Sequence, residues 1–135
     1  MYEKALAIAP NSVRALANLG DLELLENRPE QALAAFRQNE YEIFKLAGEA
    51  RAEYSLGHAE VAQRALKQLI ARDDAYQTAR VYAWRGEKDH ALECAERAYE
   101  KRDPGVTWIK IDPFFRSLRG DARYKSLLRK LNLRE

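Results

Sequence analysis

The chain contains a single cysteine, Cys94, among its 135 residues, so an internal disulfide bond is excluded. No run of apolar residues approaches the roughly 20 that a transmembrane helix needs. The N-terminus also lacks the basic start and the apolar stretch of a secretion signal. From these three absences we expect a cytoplasmic protein, because disulfide bonds are rare in that reducing compartment.

Residues that interrupt helices or favour strands are scarce as well. The chain has six glycines, four prolines and two threonines, whereas Ala, Leu, Glu and Arg dominate. The dominant residues are good helix formers. No long segment rich in Gly, Ser or Pro separates two parts of the chain. We therefore predict an all-α protein that forms one domain with a modest core.

Signatures of catalysis are missing too. The two histidines, His58 and His90, are far apart in the chain, and each lies near the start of a helix where a surface position is expected. No cysteine–histidine pair has metal-ligand spacing, and no glycine-rich loop precedes a helix to cradle a phosphate. Cys94 lies on an alanine-rich face and is typical of a small core residue. We predict a protein that is not an enzyme and has no metal or cofactor.

What the chain does contain is a pattern that recurs three times. Each copy has a turn residue, a polar and acidic helix start, an alanine five residues after the turn residue, and an apolar residue four positions later. The alanines are Ala32, Ala62 and Ala91, so the repeat lengths are 30 and 29 residues. A period in this range is typical of stacked helical repeats, which usually serve as surfaces for partners.

Apolar spacing and turn signals predict where the helices lie. We predict helices at about 13–25, 29–38, 41–56, 59–72, 75–85 and 88–101, then an extended segment at 106–111, a short helix ending at 118 and a last helix at 122–131. Gly57 and Gly86 are expected to end helices. Asp73 and Asp74 together are interpreted as a helix-start signal.

The first copy resembles the tetratricopeptide repeat family, in which each repeat is a pair of antiparallel helices. The family pattern is W-x2-L-G-x2-Y, then A-x3-F, then P. It is matched by Leu16, Leu19, Gly20, Ala32 and Phe36. The resemblance implies an all-α fold, a right-handed superhelical array of antiparallel helix pairs, with a C-terminal capping helix.

The resemblance extends over residues 1–101, although it weakens after residue 38. The first ten residues resemble the second half of a preceding repeat through Tyr2, Ala5 and Pro10. The second and third copies lack the Leu-Gly pair and are shorter than the usual 34 residues. We therefore expect tetratricopeptide-like repeats over 1–101, the first of them truncated.

The C-terminal segment resembles a second family feature. In bacterial multi-domain proteins whose repeats follow a nucleotide cyclase or a winged-helix regulator, the repeats end in DP-x-F-x-x-L-R-x-D-x-R-F/Y-x-x-L-L-x-x-L. Residues 112–131 match this phrase well. The resemblance implies that the chain is the C-terminal part of a longer bacterial protein. Residues 102–135 would then form a capping segment of the same domain.

In the family, the first helix of each pair lines a concave groove that holds the partner. Carried over to this chain, the resemblance assigns a partner-binding groove to Arg14, Asp21, Arg51, Tyr54, Tyr76, Arg80 and Trp84. Arginines beside aromatic rings would suit an acidic peptide. The alternative is that the aromatic rings are core residues covered by arginine stems. Chaperone tails are not expected to bind, because their clamp needs Lys and Asn where this chain has Ala17 and Asp21.

The net charge of +2 conceals an asymmetry, because residues 1–109 sum to −3 and residues 110–135 sum to +5. A basic tail can contact nucleic acid or anionic lipid. We favour the simpler interpretation of a capping helix with a solvated cationic face. Nucleic acid is therefore not expected as a partner.

These observations lead to a prediction of function. The chain is expected to be a non-catalytic scaffold for a protein or peptide partner, the C-terminal docking or sensor part of a larger bacterial protein. The alternative is a module that regulates a fused nucleotide cyclase or transcription regulator within its own chain. Self-association through apolar surface at the truncated N-terminal end is a further expectation.

Overall fold

The computed structural model describes residues 12–133, and within that range it contains α-helices and short 3-10 helices but no strand. The α-helices are α1 (Val13–Leu25), α2 (Pro29–Arg37), α3 (Glu42–Ser55), α4 (Ala59–Ala71), α5 (Ala75–Trp84), α6 (Lys88–Glu100) and α7 (Ala122–Lys130). The 3-10 helices η1 (Pro104–Trp108) and η2 (Pro113–Leu118) lie between α6 and α7. The prediction of an all-α protein is confirmed. The predicted half-repeat at Tyr2, Ala5 and Pro10 lies outside the described residues.

Short polar side chains begin several of these helices. The Ser12 hydroxyl accepts a hydrogen bond from the Ala15 amide (3.3 Å) at the start of α1. Asp74 does the same for the Gln77 amide (3.0 Å) at the start of α5. Such side chains satisfy backbone donors that have no partner inside the helix. The sequence therefore marks these helix starts locally.

Six of the seven described α-helices, all but α2, are followed by a single residue in the left-handed region. These residues are Asn27, Gly57, Asp73, Gly86, Arg102 and Asn132, with φ between 59° and 84°. After α3, for example, the His58 amide donates to the Glu53 carbonyl (2.9 Å), which closes the last turn. The prediction that Gly57 and Gly86 end helices is confirmed. Asp73 was wrongly predicted to begin a helix: it terminates α4, and Asp74 alone caps α5.

The segment 106–111 was predicted to be extended, and this prediction is wrong. Its first half belongs to η1, and the rest forms a turn. Val106 and Ile109 are both buried, and their spacing of three places them on one side of a 3-10 helix. The Asp103 carboxylate also accepts a hydrogen bond from the Gly105 amide (2.9 Å), which fixes the start of η1. Burial of two β-branched residues on one side favours the turn over a strand.

The described part of the chain divides between residues 72 and 73 into two compact units, which we call the N-terminal unit and the C-terminal unit. In the N-terminal unit, α1 packs on α2, α2 and α1 pack on α3, and α3 packs on α4. In the C-terminal unit, α5 packs on α6, and η1, η2 and α7 complete the same core. The predicted boundary at 101/102, where the repeats give way to the capping segment, stays a prediction.

Two glycines of the N-terminal unit enclose one aromatic ring. Phe36 of α2 is completely buried. A Cβ added to Gly20 of α1 would lie 2.4 Å from the Phe36 ring, and one added to Gly48 of α3 would lie 2.0 Å from it. Non-bonded carbon atoms do not approach so closely, so α1 and α3 can pack on this ring only without side chains there. The family-like pair Gly20 and Phe36 therefore acts as a packing unit.

The C-terminal unit has a core built around alanines and aromatic rings. Its buried residues include Tyr76, Ala79, Ala91, Leu92, Ala95, Ile109, Phe115, Tyr124, Leu127 and Leu128. On the last helix, Tyr124, Leu127 and Leu128 are buried in this core, whereas Leu131 is only partly buried. Among residues 12–133, no helix has the length and apolar content to cross a lipid bilayer.

Candidate interaction sites

Arg51 lies in the middle of α3 and is 1% exposed. Its Nη1 lies 2.8 Å from Asp21 Oδ1 on α1, and its Nε donates to the Ala47 carbonyl (3.0 Å). The guanidinium carbon is 5.2 Å from the centroid of the Phe36 ring. A charge this deeply buried needs such partners, because transfer from water to an apolar interior is costly. Arg51 therefore ties α3 to α1.

The sequence-based assignment of Arg51 to a partner-binding groove is corrected by this burial. Its guanidinium cannot reach a partner unless α1 and α3 separate. Asp21 is shielded as well, since its side chain is 16% exposed. Arg14 on α1 and Tyr54 on α3 are exposed, and Tyr54 is 45% exposed. They are the predicted groove residues of the N-terminal unit whose side chains a partner can reach.

Asp112, which immediately precedes η2, organises a second buried polar group. Its Oδ1 accepts a hydrogen bond from the Phe114 amide (3.0 Å). Its Oδ2 accepts one from the Tyr76 hydroxyl (2.6 Å) and lies 2.9 Å from Arg80 Nε. Asp112 is 8% exposed, and its negative charge is balanced by the ion pair with Arg80 and by the two hydrogen bonds that it accepts. The carboxylate joins η2 to α5.

Burial, and next the charge of Asp112, raise the pKa of the Tyr76 hydroxyl above its ordinary value. The phenol therefore stays protonated and acts as the donor in its hydrogen bond to Asp112. Arg80 also lies over the Phe114 ring, with its guanidinium carbon 4.6 Å from the ring centroid. Trp84 meets the same ring edge to face, at 5.4 Å between centroids. Three predicted groove residues thus converge on two residues of the terminal segment.

This arrangement corrects the assignment of Tyr76 to a partner-binding surface. Tyr76 is 4% exposed, which makes it a core residue. Arg80 and Trp84 are partly buried. Their observed contacts agree with the alternative in which aromatic rings form the core and arginine stems cover them. The Asp-Pro pair marks the start of the predicted short helix in the sequence, but sequence reasoning missed the contacts of Asp112 and Phe114 with α5.

Groups that could perform chemistry are few in the described part of the chain. Residues 12–133 contain no cluster of three or more His, Cys, Asp or Glu side chains that could hold a metal ion. His58 lies on the surface beside Glu53, with 3.3 Å between Nδ1 and Oε1. His90 is exposed and stacks on Tyr82, at 4.9 Å between ring centroids. The expectation of surface histidines is confirmed.

Cys94 is partly buried, so the core position expected from the sequence is reached only in part. Burial, followed by the charge of Glu93, raises the pKa of its thiol. Since the thiolate is the reactive form, we expect slow alkylation at pH 8. The rate with iodoacetamide, measured by mass spectrometry, should rise several-fold when the chain is unfolded in urea. Equal rates in the two states would contradict this.

Comparison of the chain with protein-family models, with curated protein sequences and with solved structures gave no significant match. The resemblance to tetratricopeptide repeats and to the ends of bacterial multi-domain proteins therefore stays a prediction.

Proposed function

We propose that this chain is a non-catalytic protein–protein interaction module, built as a tetratricopeptide-like array of helix pairs. The alanines that define the three sequence copies support this fold. Ala32, Ala62 and Ala91 lie in α2, α4 and α6, and each is 0% exposed. The same small residue therefore occupies a fully buried position in the second helix of each pair.

Equivalent burial in three copies supports a repeated structural unit. Each pair joins its two helices through a short turn with a left-handed residue, Asn27, Gly57 or Gly86. Short connections favour antiparallel neighbours, and a buried alanine lets two helices approach closely. In the proposed fold, these helix pairs stack into a right-handed array. Arrays of helix pairs typically present extended surfaces that bind partners.

The buried polar groups favour binding over catalysis. Arg51 is engaged by Asp21, and Tyr76 and Arg80 are engaged by Asp112. These groups hold helices together in the structure, whereas a general acid or base must reach a substrate proton. From the resemblance of the terminal segment, we further propose that the module is the C-terminal docking or sensor part of a larger bacterial protein.

The proposal is tested by finding a partner and then measuring its binding with purified components. The chain serves as bait in a lysate of its source organism, and a candidate identified by mass spectrometry is purified for isothermal titration calorimetry. We expect saturable binding with a Kd of about 10 μM or tighter. A variant that does not fold is the control for nonspecific capture. If no purified candidate binds, the docking role is contradicted, and regulation within the parent chain becomes the better hypothesis.

A further inference from the structure

The C-terminal unit carries an open pocket of about 430 Å³ between α7 and the turn that follows η1. It is lined by Lys110, Ile111, Arg119, Tyr124, Lys125 and Leu128. The turn is closed by a hydrogen bond from the Ile111 amide to the Trp108 carbonyl (3.1 Å). None of these six residues was assigned to a binding site by the repeat pattern.

The charge of this pocket has one sign. Three of the residues that line it are cationic, and none is acidic. Within residues 12–133, no carboxylate forms an ion pair with Lys110, Arg119 or Lys125. Arg119 donates one of its five N–H groups to the Lys110 carbonyl (3.3 Å), which holds the guanidinium at the pocket. An anionic group that enters the pocket would therefore meet cationic donors that form no ion pair with an acidic side chain of residues 12–133.

Other cations of α7 differ in this respect. Arg123 pairs with Asp89 (2.7 Å) and with Asp121 (3.3 Å). Lys130 pairs with Glu96 (2.8 Å). These pairs neutralise two of the basic side chains that the sequence assigns to the C-terminal segment. Arg123 and Lys130 therefore have acidic partners, whereas Lys125, which lies on the same helix and lines the pocket, has no such ion pair within the described residues.

The pocket also has an apolar component. Ile111 on its wall is 66% exposed and the nearby Trp108 is 62% exposed, the highest values among the large apolar side chains of the described chain. Tyr124 and Leu128 are buried and form its floor. Burial raises the pKa of Tyr124, so its phenol is neutral near pH 7. An apolar group placed on Ile111 would remove exposed hydrophobic surface from water.

We propose that this pocket binds an acidic segment of a protein partner, in which carboxylates flank one apolar side chain. The carboxylates pair with Lys110, Arg119 and Lys125 while the apolar side chain covers Ile111. Arginine is suited to this role because its planar fork can hold a carboxylate through two hydrogen bonds. The inference rests on the proposed docking role, and it specifies the site and the chemistry of the partner.

An acidic protein segment fits better than a nucleic acid. Tight binding to a polyphosphate backbone needs an extended row of cations that contacts many phosphates. The ion pairs of Arg123 and Lys130 interrupt such a row on α7. A compact group of three cations around an apolar wall is matched instead by a few carboxylates and one side chain.

The test uses a synthetic probe, acetyl-Glu-Glu-Leu-Glu-Glu-amide, titrated into the ¹⁵N-labelled chain and followed by NMR. We expect chemical-shift changes at residues 108–111, 119 and 124–128. The isosteric control peptide, with glutamine at the four acidic positions, should bind at least tenfold more weakly. Raising the NaCl concentration from about 50 to 500 mM should also weaken binding of the acidic probe, because salt screens exposed charges.

Two triple variants separate the pocket from net charge. Lys110→Gln with Arg119→Gln and Lys125→Gln should raise the Kd of the probe about tenfold, since exposed ion pairs each contribute modestly. Arg64→Gln with Lys67→Gln and Arg72→Gln removes the same charge from exposed positions of the N-terminal unit and should change the Kd less than twofold. Lys125→Gln alone, at an exposed position, should weaken binding measurably if the triple pocket variant does not fold.

Equal Kd values for the wild type and the pocket variants would overturn the proposal. So would shifts that map outside the pocket, or tighter binding of a single-stranded DNA of ten nucleotides than of the peptide. Failure of the pocket is distinguishable from failure of the docking role. A purified partner that binds the wild type and the triple pocket variant equally would overturn the pocket but leave the docking role intact.

Discussion

Replacing Asp112 with alanine should lower the free energy of unfolding of the C-terminal unit by about 3–5 kcal/mol. The substitution leaves the Arg80 guanidinium partly buried without its carboxylate, and it leaves the Tyr76 hydroxyl without its acceptor. It also removes the side chain that caps η2. Both tryptophans lie in this unit, so urea unfolding followed by tryptophan fluorescence measures the loss.

Two further variants sharpen this prediction. Asp112→Asn keeps an acceptor for Tyr76 but removes the charge that faces Arg80, so its loss should lie between those of the wild type and Asp112→Ala. Asp121→Ala is the matched control, because Asp121 also caps a helix but lies nearer the surface. Its effect should be clearly smaller. If Asp121→Ala and Asp112→Ala destabilise equally, the buried polar group at Asp112 has no special importance.

The Gly48→Val substitution should destabilise the N-terminal unit by about 3 kcal/mol or more, at the upper end of the overpacking range. A Cβ at this position would lie 2.0 Å from Phe36 Cγ, near the backbone end of a completely buried ring. Rotation of the ring about its Cβ–Cγ bond does not move Cγ, so it cannot relieve this contact. Urea unfolding followed by circular dichroism at 222 nm should show a lower midpoint or a lost transition.

A double-mutant cycle with Phe36→Ala tests whether the Gly48→Val destabilisation comes from a clash with the Phe36 ring. Phe36→Ala alone should cost about 3–5 kcal/mol because it leaves a cavity. In combination with Gly48→Val it should cost less than the sum, since the new side chain can occupy the vacated space. Gly120→Ala is the control, because an added Cβ there meets no atom within 4 Å. Strict additivity of the two changes would contradict a direct clash.

Burial changes how a groove in this chain should be tested. A double Arg51→Ala and Arg80→Ala variant would remove one ion pair from each unit, so lost binding would follow from lost stability as readily as from a lost contact. Variants at the exposed Arg14 and Tyr54 test the predicted groove more directly. Binding that survives both changes would leave the pocket on α7 as the better candidate.

The sequence alone determines the helices and most of their ends. The repeat lengths, the apolar spacing and the residues Gly57 and Gly86 act within a few positions, so they can be recognised without knowledge of the fold. The buried alanines at 32, 62 and 91 were found in the same way. Local errors occurred at Asp73 and at residues 106–111, where a turn competed with a capping or strand pattern.

Only the tertiary structure decides what the charged and aromatic candidates do. Arg51 meets Asp21 on another helix, and Tyr76 meets Asp112 from 36 positions away. Nothing in the local sequence around Arg51 shows whether its side chain is buried or exposed to solvent. Burial depends on which helices approach each other, and glycines opposite Phe36 set that approach in the N-terminal unit. The helices are therefore determined by the conformational preferences of residues close in sequence, whereas the accessibility of a side chain is determined by the packing of the whole unit.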